Sequence, residues 1–96
     1  MIGVILDFPG ATLEQHDAAI SGMGYTPGGE GQRDCLFHWV AKTDDGIRVV
    51  DAWTSREAFD RTLTGEFARQ SDELDLQQPE MSFYDVHTTL RSPDLQ

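Results

Sequence analysis

The groups able to move a proton in an apolar setting are few in this chain. They are His16, His38 and His87, with any acid that falls inside an otherwise apolar run. His38 lies between Leu36 and Val40, and Asp51 lies between Val49 and Trp53. An imidazole in an apolar pocket is a general base whose strength is lowered by burial and raised by a nearby carboxylate. Asp51 in a central strand is costly unless paired. The two together read as a base and the group that orients it. Trp53 offers a flat wall to a planar substrate. Tyr84 and His87 are further candidates for substrate contact, but they have opposite parity on one strand, so only one of them can reach a shared cavity. His16 follows the apolar stripe of a helix and is placed to face a sheet. Each residue also has a plainer reading: a structural histidine at a subunit face, an inter-subunit ion pair of Asp51 with Arg48 or Arg33, or simple core packing for Trp53.

Other chemistries lack their residue patterns. The three histidines fall on three different elements, with no i,i+4 pair and no cysteine cluster, so spacing gives a metal site no support. A haem needs only one His and is not removed by spacing. Gly22-Met23-Gly24-Tyr25-Thr26-Pro27 follows a helix and has Pro27 where a dinucleotide fingerprint needs its third glycine, and no P-loop occurs. Cys35 opens a strand with no base beside it, which argues against a nucleophile. The expectation is chemistry without a metal or organic cofactor.

These residues need elements to position them. Ile2 to Phe8 is an apolar run closed by Pro9-Gly10, a buried strand. Thr12 and Gln15 stand in capping-box spacing. Leu13, His16, Ile20 and Met23 then recur at helical spacing, predicting a helix over 13–23. Glycines crowd residues 22–34, which read as a loop, either a plain connector or a lid over a pocket mouth. Cys35 to Thr43 and Ile47 to Thr54 flank Asp44-Asp45-Gly46 as a hairpin. Ser55 caps a helix carrying Phe59, Leu63 and Phe67 on one face, with Glu57 and Arg61 as an i,i+4 pair, and this helix should fade near Gln70. A loop over 71–80 precedes a strand over 81–90, and 91–96 is a polar tail. The order β-α-β-β-α-β is the ferredoxin-like arrangement, an α+β fold with two helices over one face of a four-stranded antiparallel sheet. It forms a single domain over 1–90.

The hairpin loop decides the His38–Asp51 pair. Four residues, Thr43 to Gly46, place His38 opposite Asp51, whereas a three-residue loop with a glycine bulge separates them. The strands also carry apolar residues on both parities: Phe37, Trp39 and Ala41 against Leu36 and Val40, Val50 and Ala52 against Val49 and Trp53. Two helices cover only one face. A second copy of the chain is the expected cover for the other, giving a homodimer with its sheets face to face.

Phe37-His38-Trp39-Val40-Ala41, the Asp44-Asp45-Gly46 turn, and Val49-Val50-Asp51-Ala52-Trp53-Thr54-Ser55-Arg56-Glu57-Ala58-Phe59 resemble the antibiotic-biosynthesis-monooxygenase-like proteins. Trp53 followed by Ser55-x-Glu57-Ala58-Phe59 is the strongest local match, and the element order extends the resemblance to residues 1–90. It implies a dimeric α+β barrel with a pocket for a hydrophobic, aromatic or polyketide-like molecule. Some such proteins oxidise their substrates with molecular oxygen and no metal or flavin, and related barrels degrade haem, isomerise lactones or catalyse cyclisations. The quinone-forming members use an Asn and a Trp, and this chain contains no Asn. The residues therefore point to cofactor-independent oxygenation with His38 as base, Asp51 orienting it, and Trp53, Tyr84 and His87 contacting substrate. A cyclase or isomerase would use the same enolate chemistry, and a ligand-binding or assembly protein would use the same pocket without chemistry.

Composition narrows the partners. Seventeen acids against seven bases give a formal net charge of -10 over 96 residues. That opposes broad binding to nucleic acid or to an anionic membrane surface, both of which need a basic footprint. One cysteine cannot form an internal disulfide, so a reducing cytoplasm fits. The run Ile2 to Leu6 lacks a basic segment before it and ends at Asp7, so a signal peptide is not expected.

Overall fold

The computed structural model describes residues 1–94. Of the polar tail expected over 91–96, the last two residues lie outside the described part. The elements are β1 (Ile2–Pro9), α1 (Leu13–Gly22), β2 (Cys35–Lys42), β3 (Gly46–Trp53), α2 (Arg56–Thr64), α3 (Glu66–Glu73) and β4 (Glu80–Asp85). All strand pairs are antiparallel and the sheet order is β2-β3-β1-β4. This is the ferredoxin-like topology, with the helices on one face.

That face holds the core. Val4, Leu6 and Phe8 of β1 alternate inward, and Ile47, Val49 and Trp53 of β3 do the same beside them. Ala58 and Phe59 of α2 close over this row, with the Phe59 ring edge-on to both Trp53 (5.6 Å) and Phe83 (5.5 Å). The Thr12 hydroxyl accepts from the Gln15 N–H at 3.1 Å, and the Gln15 amide oxygen accepts from the Thr12 N–H at 3.0 Å. This reciprocal cap fixes where α1 begins, and hence where His16 stands. The Ser55 hydroxyl caps α2 in the same way, accepting from Ala58 N–H at 3.1 Å.

Three details differ from expectation. The second helix is broken at Gly65, whose φ of -102° and ψ of -104° end α2 and start α3. The apolar period survives the break, because Phe67 of α3 still meets Phe8 with ring centroids 5.8 Å apart. β4 stops at Asp85 instead of continuing to Leu90. Asp85 is opposite Ile2, the first residue of β1, and the ladder ends one step further, where Val86 N–H donates to the Met1 carbonyl at 3.2 Å. Arg61 reaches Asp34 at 3.7 Å, while the i,i+4 ion pair of α2 is Arg56–Asp60 at 3.1 Å.

Gly46 is required for space. A Cβ there would run into the backbone carbonyl of Phe8, because Gly46 sits opposite Pro9 where β3 leaves the turn.

Candidate active site

The hairpin loop between β2 and β3 has four residues: Lys42 pairs with Ile47, and counting inward brings His38 opposite Asp51. A bulge at Leu36 leaves this register intact because it lies beyond His38, between Cys35 and Phe37. Both side chains point to the helical face. Asp51 is 5% exposed and each of its carboxylate oxygens has a partner. Oδ1 accepts from His38 Nδ1–H at 2.7 Å, and Oδ2 accepts from the Trp53 indole Nε1–H at 3.0 Å. Trp53 is thus both core and positioning group: its ring packs on Phe59 while its N–H holds the acid. Arg48, one of the cations considered for Asp51, instead grips Asp7 from β1 with Nε and Nη2 at 2.7 and 3.1 Å.

α1 adds a residue that the sequence reading placed only on an apolar stripe. His16 Nε2 meets His38 Nε2 at 3.0 Å, and His16 Nδ1 meets Asp17 Oδ1 at 3.0 Å. The imidazole planes are within 14° and the centroids 5.2 Å apart. That separation is the 3.0 Å contact plus one ring radius on each side, so the rings meet head-on in a hydrogen bond rather than stacking. The result is an unbroken line, Asp17–His16–His38–Asp51–Trp53, from a carboxylate 56% exposed to one 5% exposed.

If both Nδ1 atoms donate to their carboxylates, the Nε2···Nε2 hydrogen bond requires a third ring hydrogen, one more than two neutral imidazoles hold. Among the described residues no cluster of three or more His, Cys, Asp and Glu side chains is placed to hold a metal ion.

The line runs along the wall of a cavity of about 590 Å³ between sheet, helices and the 23–34 loop. Phe8, Val49 and Trp53 form its floor on the sheet side, Ile20 and Leu63 its helical side, and the glycine-rich segment from Tyr25 to Gln32 closes another flank. Gln32 Nε2–H donates to the Thr62 hydroxyl at 2.7 Å and ties this loop to α2. The volume lies within the range of small-molecule sites, and the lining is mainly apolar with a few convergent polar groups. Cys35 also lines it. Burial and the charge of Asp51 push its thiol up to about 12, so it is an uncharged packing group at neutral pH. A smaller depression of about 200 Å³ beside Asp7, Thr43, Arg48 and Glu80 contains none of these groups.

The other two residues expected to contact substrate lie elsewhere. Tyr84 pairs opposite Gly3, points to the helix-free face of the sheet and is 58% exposed. His87 follows β4 and is exposed. Neither lines the cavity of this chain. His16 was findable from sequence, since its i+4 partner Ile20 marks the same face of α1.

Fold and cavity together define an α+β ferredoxin-like domain with a small-molecule-sized chamber beneath its helices. This is the fold of the antibiotic biosynthesis monooxygenases. SnoaB, a cofactor-independent oxygenase from Streptomyces nogalater solved as an Asn-to-Ala variant, superposes with a TM-score of 0.64 at 16% identity, over 95% of this chain and 97% of that one. Proteins assigned as antibiotic biosynthesis monooxygenases from Chloroflexus aurantiacus (21% identity, 94% and 96% of the two chains) and Deinococcus radiodurans (12% identity, 96% and 98%) both give a TM-score of 0.62. At these identities the likeness is one of fold. No protein-family model matches the sequence, and no curated protein matches it. Among the described residues, no helix is long and apolar enough to cross a membrane.

Proposed function

We propose that this chain is a cofactor-independent enzyme acting on a hydrophobic aromatic or polyketide-like molecule, which it deprotonates and exposes to molecular oxygen. The observation that carries this is the Asp51–His38 pair, 2.7 Å apart at the wall of an apolar cavity of about 590 Å³. His38 is the base. Asp51 fixes its tautomer and stabilises the imidazolium that forms, and Trp53 holds Asp51. The fold shared with SnoaB supports the oxygenase reading. Because the base removes a proton from carbon or oxygen next to a carbonyl or aromatic ring, the product of its step is a delocalised anion that reacts with oxygen directly. The working unit we propose is a homodimer joined through the helix-free sheet face.

The test is oxygen uptake by the purified protein, in the presence of a chelator, with a panel of anthrone- and quinol-type compounds. Uptake should fall roughly 10²–10⁴-fold in His38→Ala, the usual contribution of a positioned base. Unchanged turnover would remove His38 from that role. Substrate consumed without oxygen would make the protein a cyclase or isomerase, and tight binding without consumption would make it a carrier.

A further inference from the structure

Both ring nitrogens of His38 are engaged, Nδ1 by Asp51 and Nε2 by His16. A base with no free lone pair cannot take a proton until one contact opens. The Asp51 contact is buried and shared with Trp53. The His16 contact faces the cavity, and the other partner of His16 is the largely exposed Asp17 on its own helix. His16 is therefore the ring that gives way.

We infer that the substrate enters as a neutral enol or phenol whose oxygen inserts between His16 Nε2 and His38 Nε2 and is held there as an oxyanion. The inference rests on the cavity being the substrate site, as proposed above. The substrate O–H bond breaks, its proton goes to His38 Nε2, and the electron pair stays on oxygen. His16 keeps its Nε2 proton and donates it as a hydrogen bond to that oxygen. Two N–H···O bonds meeting at one atom need the nitrogens roughly 1.5–2 Å further apart than their 3.0 Å contact. A side-chain rotation of His16 provides this without moving α1.

Charge argues for the same outcome. With substrate bound, the line becomes carboxylate, imidazolium, oxyanion, imidazolium, carboxylate, each charge next to its opposite. Besides Asp17 on α1 and Asp51 on β3, the charged or titratable groups around the cavity are Glu30 and Tyr25 on the loop and Cys35 on β2, whose thiol is uncharged. None adds a cation, and the whole chain carries -10. A preformed anion would be repelled on approach. A neutral acid is not, and it ionises only once it lies between the two rings. A third ring hydrogen on the pair is what allows His16 to remain a donor after His38 becomes one.

The probe is 4-nitrophenol, whose anion absorbs in the visible, with 4-nitroanisole as a matched ether that has no proton to lose. At a pH about two units below the ionisation of free nitrophenol, saturating wild-type protein should turn most of the bound probe into phenolate. His38→Gln should bind it without the phenolate band, and His16→Gln should reduce the ionised fraction at least ten-fold, with melting temperatures checking that both variants fold. Long-range ¹H–¹⁵N spectra of the empty protein should show three ring protons on His16 and His38. The inference fails if nitroanisole binds as tightly as nitrophenol, if bound nitrophenol stays neutral, if neither substitution alters the band, or if the spectra show two neutral rings. Any of these would leave the oxygen-uptake test, and the function it addresses, standing on its own.

Discussion

Asp51 shows how an acid persists in the middle of a sheet. Its two oxygens satisfy two N–H donors that would themselves be costly to leave unpaired, those of His38 and Trp53. Asp51→Ala strands both donors, and since His38 is 33% exposed, water relieves one of them. We expect a loss of roughly 1–3 kcal/mol, read from urea unfolding, with Asp51→Asn intermediate because one amide oxygen still accepts. Cys35 makes an opposite statement about pH. Its folded-state ionisation lies near 12 against an ordinary 9.0. The neutral thiol is the form that folding favours, so its contribution is whole below about pH 9 and declines as pH rises toward the folded value. Unfolding free energies should therefore fall between pH 8.5 and 10.5 (a range of roughly two units around the unfolded value) more steeply in wild type than in Cys35→Ala. Iodoacetamide should label the native thiol far more slowly than the denatured one. At this scale the sequence was informative about partners and silent about directions. Parity and a four-residue turn were enough to pair His38 with Asp51. Parity could not say which sheet face the helices cover, so Tyr84 and His87 were drawn to the cavity alongside residues on the other side. Nor does any local pattern in α1 or β2 reveal that His16 ends against His38, because that contact is made only by how the helix crosses the sheet.

Elements obey their neighbours as much as their own residues. Val86 to Leu90 is a strand by composition and is not one in the fold, since the ladder with the first strand ends at the Val86 N–H to Met1 carbonyl bond. The capping signals at Thr12 and Ser55 were legible because a cap is satisfied within four residues. The break at Gly65 was hidden by an apolar spacing that runs through it to Phe67. Gly46 is the element-scale constraint most open to test. Its Cβ position is occupied by the Phe8 carbonyl, so any side chain must push β1 and β3 apart at the end of the register that sets His38 opposite Asp51. Gly46→Ala should cost roughly 1–3 kcal/mol by overpacking. A control at Gly31, where a Cβ meets nothing, should change the urea midpoint little.

The whole molecule presents one face that a lone chain leaves unexplained. Phe37, Trp39 and Tyr84 are 50%, 44% and 58% exposed on the helix-free side of the sheet, beside half-buried Ile5, Val50 and Ala52. An apolar surface of this kind is what a soluble monomer avoids. The occupant we propose is a second copy of the chain. The rest of the chain is strongly acidic, but on this face Arg48 is locked onto Asp7, whose carboxyl it holds below the usual range, so the pair neutralises itself. Glu80, opposite Asp7 at the start of edge strand β4, is the remaining acid of this face, so two such faces meet through apolar centres while the acidic remainder of each chain still repels the other. That combination makes a specific prediction about salt. The homodimer should tighten as ionic strength rises from tens of millimolar, because screening at a Debye length near 10 Å weakens the repulsion and leaves the apolar contact untouched. A dimer held by ion pairs would loosen instead. Sedimentation equilibrium over a salt series distinguishes the two. Trp39→Glu, which places a new charge among the exposed aromatics of the face, should give a folded monomer at every salt concentration. Persistence of the wild-type monomer at micromolar concentration and high salt would remove the face-to-face assembly. In the proposed dimer Tyr84 would lie in the contact between chains, away from the cavity where His38 and His16 meet.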